Sequence, residues 1–261
     1  MEDWGPLSRE IAGWIREYAE GSSIQTLVVG VSGGVDSAVT STLAAMTGLD
    51  TIVVNMPIHQ ESAQFDLSNL HIEWLEGNWR NVDGRIIDLT ATFDRFSEDL
   101  RACELSDLAL ANSRARLRMA TLFAIASSSR GIVVGTGNKV EDFGVGFFTK
   151  YGDGGVDISP IADLLKSEVS ALAEEMGILQ EIRDAAPTDG LWEDSRTDEE
   201  QIGATYEELE WAMREVEGPS GDELTERENR VLEIYRTLHE ENSHKMKPIP
   251  VFKRSDKDPK S

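Results

Sequence analysis

Four short runs rich in valine and isoleucine alternate with helical patterns, and this alternation restricts the possible fold more than any other feature of the chain. The runs lie at residues 26–31, 51–58, 85–89 and 131–137. Their nearly continuous apolar character is typical of strands that are buried on both faces, as in a parallel sheet covered by helices. The sequence therefore predicts an α/β fold in one domain over residues 1–261, with a doubly wound, mostly parallel, Rossmann-like sheet.

Helical periodicity fills the intervals between these strands and continues beyond the fourth one. A polar stretch at 184–203 lacks such periodicity and is predicted to be a loop. In a sheet of this kind ligands bind beyond the carboxyl ends of the strands. The predicted helices span 37–47, about 60–77, 92–102, 106–129, 163–177, about 205–217 and 222–242.

The chain is strongly acidic, with 48 acidic residues against 25 lysines and arginines and a formal net charge of -23. This balance argues against nucleic acid or an anionic membrane as a partner. No apolar run is long enough to span a membrane, and the first twenty residues do not resemble a secretory signal, so we expect a cytoplasmic protein. If the ligand is an anion, the few bases must be concentrated around it.

The cysteine and histidine content argues against a disulfide or a zinc site. The chain has one cysteine, Cys103, and its four histidines lack the spacing of metal ligands. Cys103 lies among acidic residues with no histidine near it in the sequence, and a thiol needs a base or a positive field to become a nucleophile. We interpret Cys103 as a residue without a catalytic role.

The first predicted strand runs directly into the loop SGGVDS, which has the character of a phosphate site. Gly33 and Gly34 allow backbone N–H groups to approach an anion, and the following helix adds its positive end. Ser32 and Ser37 add hydroxyl donors. Asp36 stands where the loop of a P-loop NTPase has lysine, and a carboxylate reaches phosphate only through a cation, so the loop predicts Mg²⁺. The structural alternative is a glycine turn that Asp36 caps at the start of a helix.

The loop resembles the signature of the N-type ATP pyrophosphatases, which adenylate a substrate oxygen and release pyrophosphate. Further motifs match, in order and spacing, the ammonia-dependent NAD synthetases, and the resemblance covers nearly the whole chain. Two departures occur: HQESAQ follows the second strand in place of a commoner form, and NKVEDFGVG carries one extra residue before FFTK. The matching motifs are ARLRM (115–119), GTGNKVE (135–141), FFTKYGDGGVDISPI (147–161), PTDGLW (187–192) and SHK (243–245).

This resemblance implies an adenine nucleotide alpha-hydrolase-like fold and a homodimer that uses ATP, Mg²⁺, ammonia and deamido-NAD. The nicotinate carboxylate attacks the α-phosphorus of ATP and pyrophosphate leaves. Ammonia then displaces AMP from the acyl-adenylate and gives NAD. A glutaminase domain, which would make ammonia from glutamine, is not expected within these 261 residues.

The resemblance also implies two sets of binding residues. The residues expected to bind deamido-NAD are Arg116, Lys150, Asp157, His244 and Lys245. The residues expected to bind ATP are Gly30, Val31, Ser32, Gly33, Gly34, Val35, Asp36, Ser37, Thr136, Lys166 and Thr188.

Four residues are expected to serve the chemistry. Asp36 and Glu141 are predicted to hold Mg²⁺, Lys166 to neutralise phosphate charge, and Asp153 to orient or deprotonate ammonia. For Glu141 the alternative is an acidic residue in the first turn of a helix, where it interacts favourably with the helix dipole. For each basic residue the alternative is a surface ion pair.

Two other functions share part of this pattern. Another pyrophosphatase-type ligase, such as the synthetase half of a GMP synthase, would contain SGGVDS but has no reason to contain FFTKYGDGG. A non-catalytic adenine-nucleotide sensor on the same fold would need the loop, but not paired acids with bases distributed over several motifs.

Overall fold

The centre of the protein is a sheet of parallel strands. The computed structural model describes residues 4–187, 197–221 and 223–254. Within these residues four strands lie in the order β3-β2-β1-β4, and each neighbouring pair is parallel. The strands are β1 (Thr26–Gly30), β2 (Asp50–Asn55), β3 (Val82–Ile86) and β4 (Gly131–Val133).

Helices surround this sheet and continue beyond it. A π-helix, Val140–Val145, follows β4, and a 3₁₀ turn, Arg101–Cys103, precedes α5. The α-helices are α1 (Trp4–Gly21), α2 (Val35–Met46), α3 (Ser62–Asn78), α4 (Thr90–Asp99), α5 (Asp107–Ser128), α6 (Lys166–Glu175), α7 (Gln180–Arg183), α8 (Asp198–Ile202), α9 (Tyr206–Glu217) and α10 (Glu226–Met246).

The inner strands contribute apolar side chains to both faces of the sheet, because successive residues of a strand point in opposite directions. Leu27 and Val29 of β1 pack with Val53 of β2 against α1, α2 and α6. Val28 and Val54 point to the other face and pack with α4 and α5. The predicted doubly wound parallel sheet is therefore confirmed.

All four strands differ from their predicted bounds. β1 ends at Gly30 instead of residue 31, β2 at Asn55 instead of 58, and β3 at Ile86 instead of 89. β3 begins three residues before the predicted run at 85–89, because this edge strand tolerates the polar segment VDGR, which pairs with β2 on one side only. β4 ends at Val133 instead of continuing to 137. Beyond it Val134 forms an isolated bridge with Ile158 and the chain turns towards the site.

The predicted helices are all present, with small shifts at their ends. The stretch predicted as a loop at 184–203 includes α8, which a capping box of Thr197 and Glu200 begins. α1 was not predicted as a helix, although its amphipathic pattern now places Ile11 and Ile15 in the core. In the parts of the chain that the structure describes, no helix combines the length and apolarity needed to cross a bilayer.

A separate apolar cluster joins the C-terminal helices to the π-helix. Leu209 of α9 and Val231 of α10 pack with Val140 and Val145, both of which are fully buried. These helices therefore support the segment that follows β4 instead of covering the sheet. This arrangement matters for the site, because the π-helix carries Glu141.

A buried histidine connects α2 to α3. His71 is inaccessible to solvent, its Nε2 lies 2.9 Å from Ser41 Oγ, and its ring stacks on Trp74. Burial lowers the pKa of His71 from 6.5 to about 4, because the charged imidazolium cannot be hydrated there. The neutral ring is therefore the form that fits the fold.

This burial predicts a specific loss of stability in acid. Since the folded pKa lies below the unfolded value, the contribution is complete above pH 6.5 and is lost as the pH falls towards 4. Between pH 7.5 and pH 5 the free energy of unfolding should decrease by about 2 kcal/mol more in the wild type than in His71→Gln. Urea unfolding of both proteins at the two pH values measures this difference. Equal pH dependence in the two proteins would contradict the prediction.

Candidate active site

A cleft of about 800 Å³ opens beyond the carboxyl ends of β1 and β4. Its floor is the loop after β1, and Thr136 lies where the chain leaves β4. The walls come from α5, the π-helix, the segment 146–156, the first turn of α6 and the end of α10. The position is the one expected for a ligand site in an open parallel sheet.

The glycine loop has a shape that only glycine permits at one position. Gly33 has a φ of +88°, and a Cβ there would lie 2.9 Å from the backbone oxygen of Gln64. Ser37 Oγ accepts a hydrogen bond from the Ser32 N–H at 3.1 Å and donates one to the Gly34 oxygen at 2.9 Å. The loop is thereby held in place, and Val35, Asp36 and Ser37 of the first turn of α2 line the cleft. Because the first N–H groups of a helix have no intrahelical acceptor, this turn suits an anion.

A buried lysine brings the two predicted metal-binding carboxylates together. Lys166, at the start of α6, donates to Asp36 Oδ2 in a short contact and to Glu141 Oε1 at 3.1 Å. All three side chains are less than a fifth exposed. Burial alone would lower the pKa of Lys166, but the charges of Asp36 and Glu141 outweigh it and raise this pKa above its ordinary value. The lysine is therefore a permanent cation.

Asn138 connects the carboxylate of Asp36 to the backbone that carries Glu141. Its Nδ2 donates to Asp36 Oδ1 at 3.0 Å. Its Oδ1 accepts the N–H groups of Val140 and Glu141 at 3.0 and 3.1 Å, at the start of the π-helix. The side chain is fully buried, so one amide orients Asp36 and also fixes the turn that presents Glu141.

Two further carboxyl groups in the cleft have raised pKa values. Burial raises the pKa of Asp142 to about 7, and the charges of Glu141, Asp153 and Asp36 add to the effect. Gly137 is needed beside it, since a Cβ there would lie within 2.5 Å of the Asp142 carboxyl group. Burial of its carboxyl group raises the pKa of Asp153 to about 6, although the residue as a whole is exposed at the edge of the cleft and its carboxylate accepts the Thr149 N–H at 3.0 Å. Both groups can thus exchange protons near neutral pH.

Basic side chains form the opposite wall, where α10 meets the segment FFTKYGD. Lys245 Nζ donates to the Phe148 oxygen at 2.7 Å, and Lys150 Nζ donates to the His244 oxygen at 2.9 Å. Arg116 of α5 donates to the Lys150 oxygen at 3.4 Å. These cations donate hydrogen bonds to neutral carbonyl oxygens, and an anionic ligand would be a stronger acceptor for each of them.

The cleft gathers most of the residues that the sequence analysis selected. They come from six segments of the chain. Those that line it are Gly30, Val31, Ser32, Gly34, Val35, Asp36, Ser37, Arg116, Thr136, Glu141, Lys150, Asp153, Lys166, His244 and Lys245.

Two predicted residues that the structure describes, Gly33 and Asp157, do not line the cleft. Gly33 determines the shape of the loop through its positive φ. Asp157 is exposed outside the cleft, and its carboxylate accepts the Val133 N–H at 2.8 Å at the end of β4. Its assignment to deamido-NAD stays a prediction. Thr188 lies outside the described residues.

The sequence analysis missed Asn138, Asp142 and Tyr206. Asn138 lies within the motif GTGNKVE and Asp142 directly follows it, but the residue types alone do not indicate which groups they contact. Tyr206 lies in a helix without any motif, and only the folded chain brings its hydroxyl to 2.6 Å from Glu141 Oε1. No sequence signal indicated that contact.

The charge of the cleft differs from that of the whole chain. Among the described residues its lining contains six lysines and arginines against five acids, whereas the full sequence has a net charge of -23. The bases are therefore concentrated at the cleft, as the sequence analysis expected for an anionic ligand. The six are Arg116, Arg118, Lys150, Lys166, Arg183 and Lys245.

The sequence matches known proteins over almost its full length. The family described as NAD synthase matches residues 7–249. A relative from Alkaliphilus metalliredigens, named NH(3)-dependent NAD(+) synthetase, is 36% identical over 253 residues, which cover 92% of this chain and 96% of that protein.

Solved structures share the fold. The structure of an NMN synthetase from Francisella tularensis has 30% sequence identity and a TM-score of 0.85, and the match covers 96% of this chain and 99% of that one. An NH3-dependent NAD synthetase from Campylobacter jejuni has 23% identity and a TM-score of 0.79, with coverage of 97% and 100%. The second likeness establishes the fold alone.

The geometry of the glycine loop predicts unequal effects of two neighbouring substitutions. Gly33→Ala should lower the melting temperature by several degrees, because alanine at a positive φ costs about 1–2 kcal/mol and its methyl group meets the Gln64 oxygen. Gly34→Ala is the control, since its φ is -89° and a Cβ there finds its nearest atom at 3.5 Å. Calorimetry of both variants tests this. Equal melting temperatures in the two variants would refute the proposed role of Gly33.

Proposed function

The chain belongs to the NAD synthase family, and we propose from the geometry of its cleft how its own residues divide the work of the reaction. The reaction is the ATP-dependent amidation of deamido-NAD by ammonia, which gives NAD, AMP and pyrophosphate through an acyl-adenylate. The observation that carries the assignment of roles is the contact of Lys166 with both Asp36 and Glu141 beside the glycine loop.

The glycine loop and Lys166 would bind the triphosphate. Backbone N–H groups at the start of α2 and the hydroxyls of Ser32 and Ser37 suit the phosphate oxygens of a leaving pyrophosphate. Lys166 is a permanent cation at the edge of this loop, so it would stabilise the negative charge that develops as the bond to the α-phosphorus breaks. Thr136 would meet the nucleotide from β4.

The carboxylates of Asp36 and Glu141 fit Mg²⁺. They supply hard oxygen ligands, and their shared contact with Lys166 places them at one point of the cleft. In the described ranges no group of three or more acidic, histidine or cysteine side chains forms a metal cage, which suits an ion that phosphate oxygens and water complete. When bound, the ion would neutralise phosphate charge. Asp36 and Glu141 would hold it against the triphosphate.

The basic wall would bind the pyridine nucleotide. Arg116, Lys150, His244 and Lys245 come from three segments and lie along one side of the cleft. Lys150 and Lys245 now donate to carbonyl oxygens, and they could transfer these hydrogen bonds to the phosphates of the substrate. The nicotinate carboxylate would then be oriented towards the α-phosphorus of ATP, because the reacting oxygen and phosphorus atoms must be held close together.

Asp153 would orient ammonium or accept its proton. With a pKa of about 6, its carboxyl group is mostly ionised at neutral pH and could orient an ammonium ion or accept its proton. The Thr149 N–H holds one carboxylate oxygen in place at 3.0 Å. A proton lost near the acyl-adenylate frees the nitrogen lone pair that attacks the carbonyl carbon.

A second candidate substrate is nicotinic acid mononucleotide. The solved NMN synthetase at 30% identity matches nearly all of this chain, and the name of that protein points to amidation of the mononucleotide. The chemistry at the carboxyl group would be the same. The two substrates differ by the adenylate half, so the discrimination depends on contacts far from the reacting atoms.

The homodimer implied by the resemblance is proposed for this chain as well. Ile86, Phe96 and Leu108 are exposed apolar side chains on β3, α4 and α5. The long helix α5 has only three buried residues, all alanines, although it packs on the sheet. A second copy could cover these side chains. A cytoplasmic location likewise stays a prediction.

One assay tests the function and both substrates. Purified protein with ATP, Mg²⁺ and ammonium should convert deamido-NAD to NAD with a higher kcat/KM than it shows for the mononucleotide. Ammonium should support the reaction and glutamine should not, because the only thiol, Cys103, is exposed and lies on a short turn outside the cleft. The rate should rise with pH, since NH₃ and not NH₄⁺ attacks.

The outcomes of this assay separate the alternatives. A higher kcat/KM for the mononucleotide would favour the second candidate. If neither substrate supports pyrophosphate release and amide formation, the proposed function is wrong. Amide formation from glutamine in the wild type, with loss of that activity in Cys103→Ser, would show that the ammonia-dependent assignment is wrong.

The proposed metal site predicts the effect of one isosteric change. Asp36→Asn should reduce pyrophosphate release roughly 100-fold or more, because a neutral amide is a poor ligand for Mg²⁺ and leaves Lys166 with one counter-charge. Asp163→Asn is the matched control, since Asp163 pairs with Lys139 at the surface and is almost fully exposed. Wild-type pyrophosphate release by Asp36→Asn at ordinary Mg²⁺ concentrations would exclude the assignment.

A further inference from the structure

We infer that α9 positions the buried cluster of Lys166, Asp36 and Glu141. Two side chains of α9, Tyr206 and Glu210, do this, and Tyr206 is a positioning residue for the adenylation step. The inference rests on the proposed function, since it assigns Tyr206 a task in that reaction. Tyr206 and Glu210 are four residues apart, so they lie on the same face of the helix. Both are buried polar residues, 6% and 5% exposed.

The Tyr206 hydroxyl fixes one oxygen of Glu141. It donates to Glu141 Oε1 at 2.6 Å, and Lys166 Nζ donates to the same oxygen at 3.1 Å. Neither contact uses Oε2. Two donors on one oxygen hold the carboxylate in a single orientation, and Oε2, which neither of them uses, would serve as the ligand for a cation.

The Tyr206 ring also touches the lysine. Lys166 Nζ lies 4.7 Å from the centre of the ring, within the range of a cation–π contact. One side chain thus contacts both Glu141 and Lys166, through its hydroxyl and through the face of its ring.

Glu210 holds the backbone that presents Lys166. Its Oε1 accepts the Ser167 N–H and its Oε2 accepts the Ser167 hydroxyl, each at 2.8 Å. A carboxylate at the first turn of α6 is also stabilised by the helix dipole, which explains how a buried charge is tolerated there. Because Ser167 follows Lys166 directly, a shift of α9 would move the lysine.

The start of α9 is itself anchored on the chain around it. Thr205 caps the helix in a capping box with Glu208, and the Tyr206 N–H donates to Glu199 Oε1 of α8 at 2.9 Å. Leu209 and Met213 pack in the apolar cluster with the π-helix. The helix is thus rigidly joined to the segment that carries Glu141, as a supporting element must be.

The test compares Tyr206→Phe with Tyr235→Phe. Both changes remove one hydroxyl from a buried tyrosine of the same apolar cluster and keep the ring, but Tyr235 does not line the cleft. Tyr206→Phe should lower kcat about 10–100-fold and raise the Mg²⁺ concentration for half-maximal rate, with the KM for the pyridine nucleotide unchanged. Tyr235→Phe should keep the wild-type values.

A second readout does not depend on turnover. With a non-hydrolysable ATP analogue, Mg²⁺ should raise the melting temperature of the wild type, and the midpoint of this titration should shift to higher Mg²⁺ in Tyr206→Phe alone. If the two variants have the same kcat and the same midpoint, the inference is wrong. If the wild type makes no amide, the proposed function fails, and the midpoint of the thermal titration still decides the role of Tyr206.

Glu210 gives an independent arm of the experiment. Glu210→Ala should lower kcat without changing the KM for the pyridine nucleotide, and Glu210→Gln should restore a large part of it, because the amide oxygen still accepts the Ser167 N–H. Wild-type kcat in Glu210→Ala, or a KM effect without a kcat effect, would refute the positioning role of Glu210.

Discussion

The contact of one buried ammonium group with two carboxylates is the interaction on which the rest of this structure depends. Lys166 at the start of α6 meets Asp36 after β1 and Glu141 in the π-helix. Buried ion pairs contribute little to stability when compared with apolar packing, but removal of one partner leaves an uncompensated charge. Three segments must therefore meet at one point, and the floor, one wall and the α6 side of the cleft take their positions from this contact.

The π-helix shows how the fold accommodates an altered motif. The sequence analysis predicts one residue more in NKVEDFGVG than in the resembling pattern, and the structure places a π-helix at Val140–Val145. A π-helical turn absorbs one additional residue without moving the elements on either side, and such turns are frequent at functional sites. Gly146 ends the turn at a φ of +66°, and Asn242 of α10 donates to the Val145 oxygen at 3.0 Å. Glu141 thus keeps its place beside Asp36, and Asp142 enters the cleft.

The C-terminal helices combine structural support with the chemistry of the cleft. α9 holds Glu141 and the first turn of α6, whereas the end of α10 exchanges hydrogen bonds with the segment FFTKYGD through Lys150 and Lys245. These contacts concentrate positive charge in one place on a chain whose net charge is -23. An acidic surface and a cleft able to bind an anionic nucleotide are compatible because the field near a ligand is dominated by the nearest charges.

The sequence by itself determined the parallel α/β fold and the glycine loop with Asp36, and the family resemblance indicated most of the charged residues that line the cleft. These features are local: apolar runs, helical periodicity and glycines at fixed spacing act through neighbours in the chain. The exact bounds of β3 and β4 were wrong because the pairing of edge residues depends on the adjoining strand. Asn138, Tyr206 and Glu210 could not be assigned from sequence, since their roles consist of hydrogen bonds to residues between 43 and 102 positions away. Only the tertiary structure decided which buried polar groups meet, because each must find a partner in the packed interior wherever the chain supplies one.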